Sequence, residues 1–147
     1  MKNAFLQLSC LTCLLSHALA ATAEMRHTHG VFYPGLNNQP ILQLKVVGKP
    51  GEKIKALSFT PGKSTRRSGL KAVRLSTSGH NNAFTTHTQN PVQEKAKQSS
   101  VREQFTFNTT FELGNKPLYI WLSYDISPTI KRNACVDALC TSIQMED

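Results

Sequence analysis

The sequence predicts an all-β protein, an antiparallel β-sandwich of jelly-roll-like type with about six to eight short strands. Three observations lead there. Apolar and polar residues alternate with period two in several separate runs, the pattern of half-buried strands. Turn-forming clusters separate those runs, and no segment carries a sustained 3.6-residue apolar stripe. At 147 residues and 39% hydrophobic composition, the chain suits one ordinary domain.

The first twenty residues read as a signal peptide rather than as part of the fold. Lys2 supplies a positive start, Phe5 to Leu15 is an apolar stretch of eleven residues, and Ala18-Leu19-Ala20 is a small-x-small cleavage site. That stretch is shorter than the ~20 apolar residues of a bilayer span, and no later segment approaches that length, so no membrane span is expected. Neither Cys10 nor Cys13 follows the pattern of a lipidated cysteine. Cleavage after Ala20 would leave 127 residues and a net charge of +7 in place of +8. An exported chain, periplasmic or extracellular, is the expectation.

Residues 21–39 are expected to form a flexible N-terminal segment, loosely ordered or holding an edge position, with Pro34-Gly35 and Asn37-Asn38 as turns. The sandwich is expected over residues 40–147. Leu42, Leu44 and Val46 alternate with Gln43 and Lys45, then Leu57 and Phe59 with Ser58 and Thr60. Val73 and Leu75 alternate with Arg74 and Ser76, and Phe105, Phe107 and Phe111 alternate with Thr106, Asn108 and Thr110. Pro117 to Ile126 is apolar at nearly every position, as a central strand covered on both faces would be. The polar stretch Gln89 to Glu103 has room for one helical turn around Val92 to Lys97.

Three local patterns together resemble the N-terminal β-sandwich associated with BNR-repeat neuraminidases, the bacterial sialidases. One is Ile54 to Thr60 leading through a polar loop into Leu70 to Leu75, then Ser78-Gly79 and Asn82-Ala83-Phe84. Another is the aromatic-rich Leu118 to Pro128, and the last is Val136 to Ile143. In order they cover roughly Pro40 to Gln144. In that family the sandwich precedes a six-bladed propeller bearing an arginine triad, a Tyr–Glu nucleophile pair and an Asp acid/base. No S-x-D-x-G-x-x-W blade signature occurs in this sequence, and none of those catalytic residues can be carried over. The resemblance therefore implies no enzyme, no cofactor and no metal. It implies a secreted module that binds glycans or assists glycoside hydrolases. Alternatives are the front end of an exo-alpha-sialidase without its propeller, or a docking module for a separate propeller or other protein.

Charge supplies the candidate ligand site. Lys53 to Gln93 holds seven basic residues and no Asp or Glu. Lys63, Arg66, Arg67, Lys71 and Arg74 lie close together in sequence, where they would attract anionic partners such as sialylated or sulfated glycans. No nucleic-acid-binding motif accompanies them, so nucleic acid is not expected. The competing reading is a solvated basic loop without a ligand. Tyr33 and Phe84, near turns, are candidate aromatic platforms, whereas Trp121 reads as core beside Ile120 and Leu122.

Cys135 and Cys140 form a candidate disulfide, provided a turn brings their Cβ atoms together; otherwise Cys140 is a small buried apolar residue. His27-x-His29 could chelate a metal on an extended segment, but a polar tail fits it better, and His80 and His87 are isolated. Tyr124-Asp125 reads as strand and turn rather than nucleophile and acid, and no serine has a hydrolase elbow. Asn108-Thr109-Thr110 fits a glycosylation sequon, but it lies mid-strand and the resemblance is to bacterial proteins.

Overall fold

The computed structural model describes residues 21–28, 32–62, 65, 69–85, 93–95, 104–131 and 136–146. Eight strands occur among them: β1 (Thr22–His27), β2 (Gln39–Val47), β3 (Lys53–Pro61), β4 (Leu70–Gly79), β5 (Gln93–Lys95), β6 (Phe105–Glu112), β7 (Leu118–Ile126) and β8 (Ala138–Met145). They form a five-stranded sheet in the order β1-β2-β7-β4-β5 and a three-stranded sheet in the order β6-β3-β8. Every pairing is antiparallel. The fold is the expected all-β sandwich.

The alternation explains how the sheets stack. In β2, Leu42, Leu44 and Val46 turn inward; in β4, Val73 and Leu75 do; in β3, Ile54, Leu57 and Phe59 do. From β7 come Leu118, Ile120, Leu122, Tyr124 and Ile126, every second residue. Burying each such side chain contributes about 1.5–3 kcal/mol. Phe59 and Phe107, on neighbouring strands of the smaller sheet, meet edge to face at 6.0 Å between ring centres.

β7 is the central strand, between β2 and β4, and only Tyr119 of its residues escapes full burial. Its apolar run is therefore covered on both faces, as the sequence pattern indicated. The two Pro-Gly turns are also built as their chemistry requires. Pro34-Gly35 and Pro50-Gly51 place glycine at φ +83° and +88°, the left-handed position of a type II turn following proline. The turns close through Leu36 N to Tyr33 O (3.3 Å) and Glu52 N to Lys49 O (3.1 Å).

Residues 22–27 take the edge position, the second of the two alternatives: they pair with β2 from Thr22↔Val47 to His27↔Leu42, so the sheet begins before residue 40. All six are exposed, and a strand held by its backbone ladder and polar side-chain ties leaves no hydrophobic period to read. Within Val92 to Lys97, residues 93–95 are not a helical turn but the short strand β5, paired with β4 at Val73, Arg74 and Leu75. No helix among the described residues is long and apolar enough to cross a membrane.

The β3–β4 connection is tied to the start of β8. Gly62 N donates to Asp137 O at 2.8 Å, and Thr65 Oγ1 both donates to Asp137 O (2.9 Å) and accepts from Asp137 N (2.7 Å). A Cβ on Gly62 would stand 2.7 Å from the Asp137 Cβ, next to backbone that these bonds hold in place. Gly62→Ala is expected to destabilise the fold by about 1–3 kcal/mol, the usual cost of overpacking, measured by urea denaturation. A midpoint equal to wild type would show that this junction is slack.

Candidate functional site

Of the predicted ligand residues, Tyr33, Lys71 and Arg74 share one end of the five-stranded sheet. The Tyr33–Leu36 turn docks on the end of β7 through Gly35 N to Ile126 O (3.1 Å) and Ile126 N to Leu36 O (2.9 Å). It displays Tyr33 at 58% and Leu36 at 48% exposure. The chain then passes through Asn38, at φ +54°, a left-handed conformation that asparagine tolerates better than most residues.

That bend aims Asn38 at β7. Its backbone N–H donates to Asp125 Oδ1 at 2.7 Å, and its side-chain oxygen accepts from the Ser123 hydroxyl at 2.6 Å. Arg74 meets the same carboxylate with both prongs, Nε to Oδ1 at 3.1 Å and Nη2 to Oδ2 at 2.7 Å. Burial is the largest single influence on the Asp125 carboxyl and opposes its ionisation. The Arg74 hydrogen bond, the Asn38 amide and the charges of Arg74 and Lys71 together outweigh it and hold the carboxyl below its ordinary value. Lys71 is exposed and sits at a bulge, the extra residue where Leu70 pairs with Ile126 and Ala72 with Asp125. The end therefore combines an exposed phenol ring, an exposed lysine charge and an arginine fixed in orientation.

The other candidates lie elsewhere. Phe84 packs edge-on against Trp121 at 5.4 Å, and Trp121 lies opposite Ser76 of β4, four residues along β7 from Asp125 or about 13 Å. Tyr33 and Phe84 thus do not form one platform. Trp121 is buried, but not beside Ile120 and Leu122: its side chain belongs to the outward-facing row with Ser123 and Asp125, and its indole N–H donates to Ser78 Oγ at 2.8 Å. The same outer row includes Gln43, whose amide donates to Asn82 Oδ1 at 2.7 Å. Lys53 and Lys55 belong to β3 in the other sheet, Lys53 facing Glu146 at 3.6 Å. Lys63, Arg66 and Arg67 lie outside the described residues.

Strand alternation also separates Tyr124 from Asp125. Tyr124 points into the core, where burial first and the charge of Asp137 second push its phenol far above the ordinary tyrosine value. Asp125 points outward to Arg74, so the two cannot act on one substrate. Cys140 is a free thiol, half-buried, and burial pushes it above its usual value; Cys135 lies outside the described residues. His27 pairs with Asp137, Nδ1 to Oδ1 at 2.9 Å, and His80 Nδ1 lies 2.9 Å from Pro117 O; His29 and His87 are outside the described residues. No three His, Cys, Asp or Glu side chains among the described residues cluster as a metal site.

Sequence reasoning missed Asp125, Ser123 and Asn38. The available signal was the second alternation inside the apolar run, Tyr119-Trp121-Ser123-Asp125, a polar row interleaved with the aliphatic one.

The depressed carboxyl has a pH signature. A folded-state value below the unfolded one stabilises the protein above the unfolded value near 4, and the gain is lost as pH falls through the folded value. Asp125→Asn is expected to flatten the acid limb of the stability curve below pH ~4. Asp125→Ala is expected to cost about 3 kcal/mol at neutral pH by removing the carboxylate that both prongs of Arg74 and the Asn38 amide meet, measured by urea denaturation across pH. An acid limb in Asp125→Asn as steep as in wild type would exclude this account.

Comparison with known protein families and with curated proteins found no match to this sequence.

Proposed function

We propose that the chain is an exported, non-catalytic β-sandwich module, resembling the N-terminal sandwich of BNR-repeat neuraminidases, that binds acidic glycans through the Tyr33 end of the larger sheet. The observation that carries the reading is an aromatic ring exposed at 58% on a turn docked to the end of β7, the end where Arg74 and Lys71 act on Asp125. A flat ring offers its face to the C–H surface of a sugar, and its docked turn limits the ordering cost of binding. Lys71 supplies a solvated positive charge for a carboxylate or sulfate, and Arg74 a fixed one whose Asp125 pairing leaves it 28% exposed. The excess of 17 Lys and Arg over 9 Asp and Glu adds long-range attraction for such ligands.

The reading is tested on an array of sialylated and sulfated glycans at low salt, followed by titration of the best ligand. Tyr33→Ala is expected to weaken binding roughly tenfold, equivalent to about 1.4 kcal/mol. Lys71→Glu is expected to weaken it further, and rising salt to weaken the wild type, as screening requires. Absence of binding to every acidic glycan, or binding indifferent to both substitutions, would rule the proposal out.

A further inference from the structure

Away from the Tyr33 end, the outer face of the larger sheet carries a rung of three polar or aromatic side chains. Gln43 of β2, Trp121 of β7 and Ser76 of β4 lie side by side in register, facing away from the core. None of the three bears a charge, and all are buried, at 5%, 6% and 7% exposure. The turn that follows β4 reaches over them. It leaves the strand through Gly79, at φ +61°, and closes on itself through Asn81 N to Ser78 O (3.2 Å) and Ala83 N to Asn81 Oδ1 (3.1 Å). Its side chains contact the rung: Phe84 meets Trp121 at 5.4 Å between ring centres, and Asn82 Oδ1 accepts from the Gln43 amide at 2.7 Å.

One hydroxyl of this face stands apart. Ser78 Oγ accepts from the Trp121 indole N–H at 2.8 Å, and Ser123 Oγ donates to Asn38 Oδ1 at 2.6 Å. Ser76 Oγ, beside the indole, is buried and has no hydrogen-bond partner among the described residues. Burying an unpaired hydroxyl is costly, and such a group in a folded protein calls for a reason. The contacts around it have the form of contacts to a sugar. A ring edge against an indole presents C–H groups to its π system, as the flat side of a pyranose does. A carbonyl on a glutamine amide is what an acetamido group offers.

We propose that the Gln43–Trp121–Ser76 rung is a saccharide subsite for a neutral N-acetylhexosamine unit, and that the Asn82–Phe84 turn sits in it as an internal stand-in. On binding, the turn swings away about Gly79 and the C–H side of the sugar lies on the indole. The acetamido carbonyl then accepts from Gln43, and a ring hydroxyl pairs with Ser76 Oγ. The sugar remakes each contact that the turn gives up, and the bond to Ser76 is the difference that favours the open form. The subsite uses none of the groups at the Tyr33 end, from which it lies about 13 Å along β7, and its uncharged lining selects a different class of sugar.

Trp121 is the only tryptophan of the chain, so its fluorescence reports on this rung. The test titrates the full chain with free N-acetylglucosamine and N-acetylgalactosamine, with glucose and galactose as comparisons. A saturable change in emission is expected, indifferent to salt and tighter for an acetamido sugar than for its parent hexose. Phe84→Ala should tighten binding roughly tenfold, the gain when a closed form populated at about 90% no longer competes. Ser76→Ala should weaken it roughly fivefold, and Gln43→Leu should erase the preference for the acetamido group. Circular dichroism checks that each variant is folded, and Asn82→Ala, which also unlatches the turn, serves in place of Phe84→Ala if that variant is not. No saturable change with either acetamido sugar, in wild type and in the unlatched variant, would overturn the subsite. So would an affinity unchanged in both Ser76→Ala and Gln43→Leu, and weaker binding in Phe84→Ala would overturn the stand-in role of the turn.

Discussion

A carboxylate can be buried on a sheet only where donors converge on it, and at Asp125 two parts of the chain supply them while a third steadies one of the two. β4 contributes the guanidinium of Arg74, the β1–β2 connection contributes the amide of Asn38, and Ser123 of β7 ties Asn38 down from below. Asp125 is the one charged side chain counted as buried among the described residues, at 5% exposure. Its demand for partners fixes where the Tyr33 turn lands and how Arg74 points. The exposed tyrosine and the lysine at the neighbouring bulge inherit their positions from that demand. Electrostatics here acts first as architecture and only then as a ligand surface.

The smaller sheet depends on the larger through a different device. Its last strand is preceded by Asp137, whose backbone is bonded by Gly62 and Thr65 and whose side chain meets His27. One residue thus joins the β3–β4 connection, the first strand and the last. The core between the sheets is apolar and non-directional, so these polar ties set the registration that packing alone would leave loose.

Much of the fold was legible because β2, β3, β4 and β6 each turn one face to the core, which writes a period of two into sequence, while β7, covered on both faces, shows as a continuous apolar run. β1 was not, since Thr22 to His27 are exposed on both faces and encode nothing but their own polarity. β5 was not, because residues 93–95 are too few to display a period. Of the candidate site, Tyr33, Lys71 and Arg74 were visible as an aromatic near a turn and as basic residues. Asp125 and Asn38, which position them, were not: they are 87 positions apart, and their pairing exists only once β2 lies beside β7. Trp121 was read as buried and is, though on the outer face under Phe84 rather than with Ile120 and Leu122, since neighbours along a strand face opposite ways. Met25 reaches the Cys140 amide and His27 reaches Asp137 across two sheet edges, proximities that no local pattern records.

The exposure of β1 has a bearing on solubility. β2, behind it, carries buried leucines and valine and a full row of backbone donors and acceptors. Without β1 it would be an apolar, unpaired edge of the kind that recruits other chains into continuous ladders. β1 covers that row with a strand whose outer side bears Glu24 and Arg26, linked to each other at 2.8 Å and, through Glu24, to Lys45 at 3.4 Å. The polar first strand functions as a guard rail: it contributes little to the core, but it keeps a sticky sheet from growing past the boundary of one molecule.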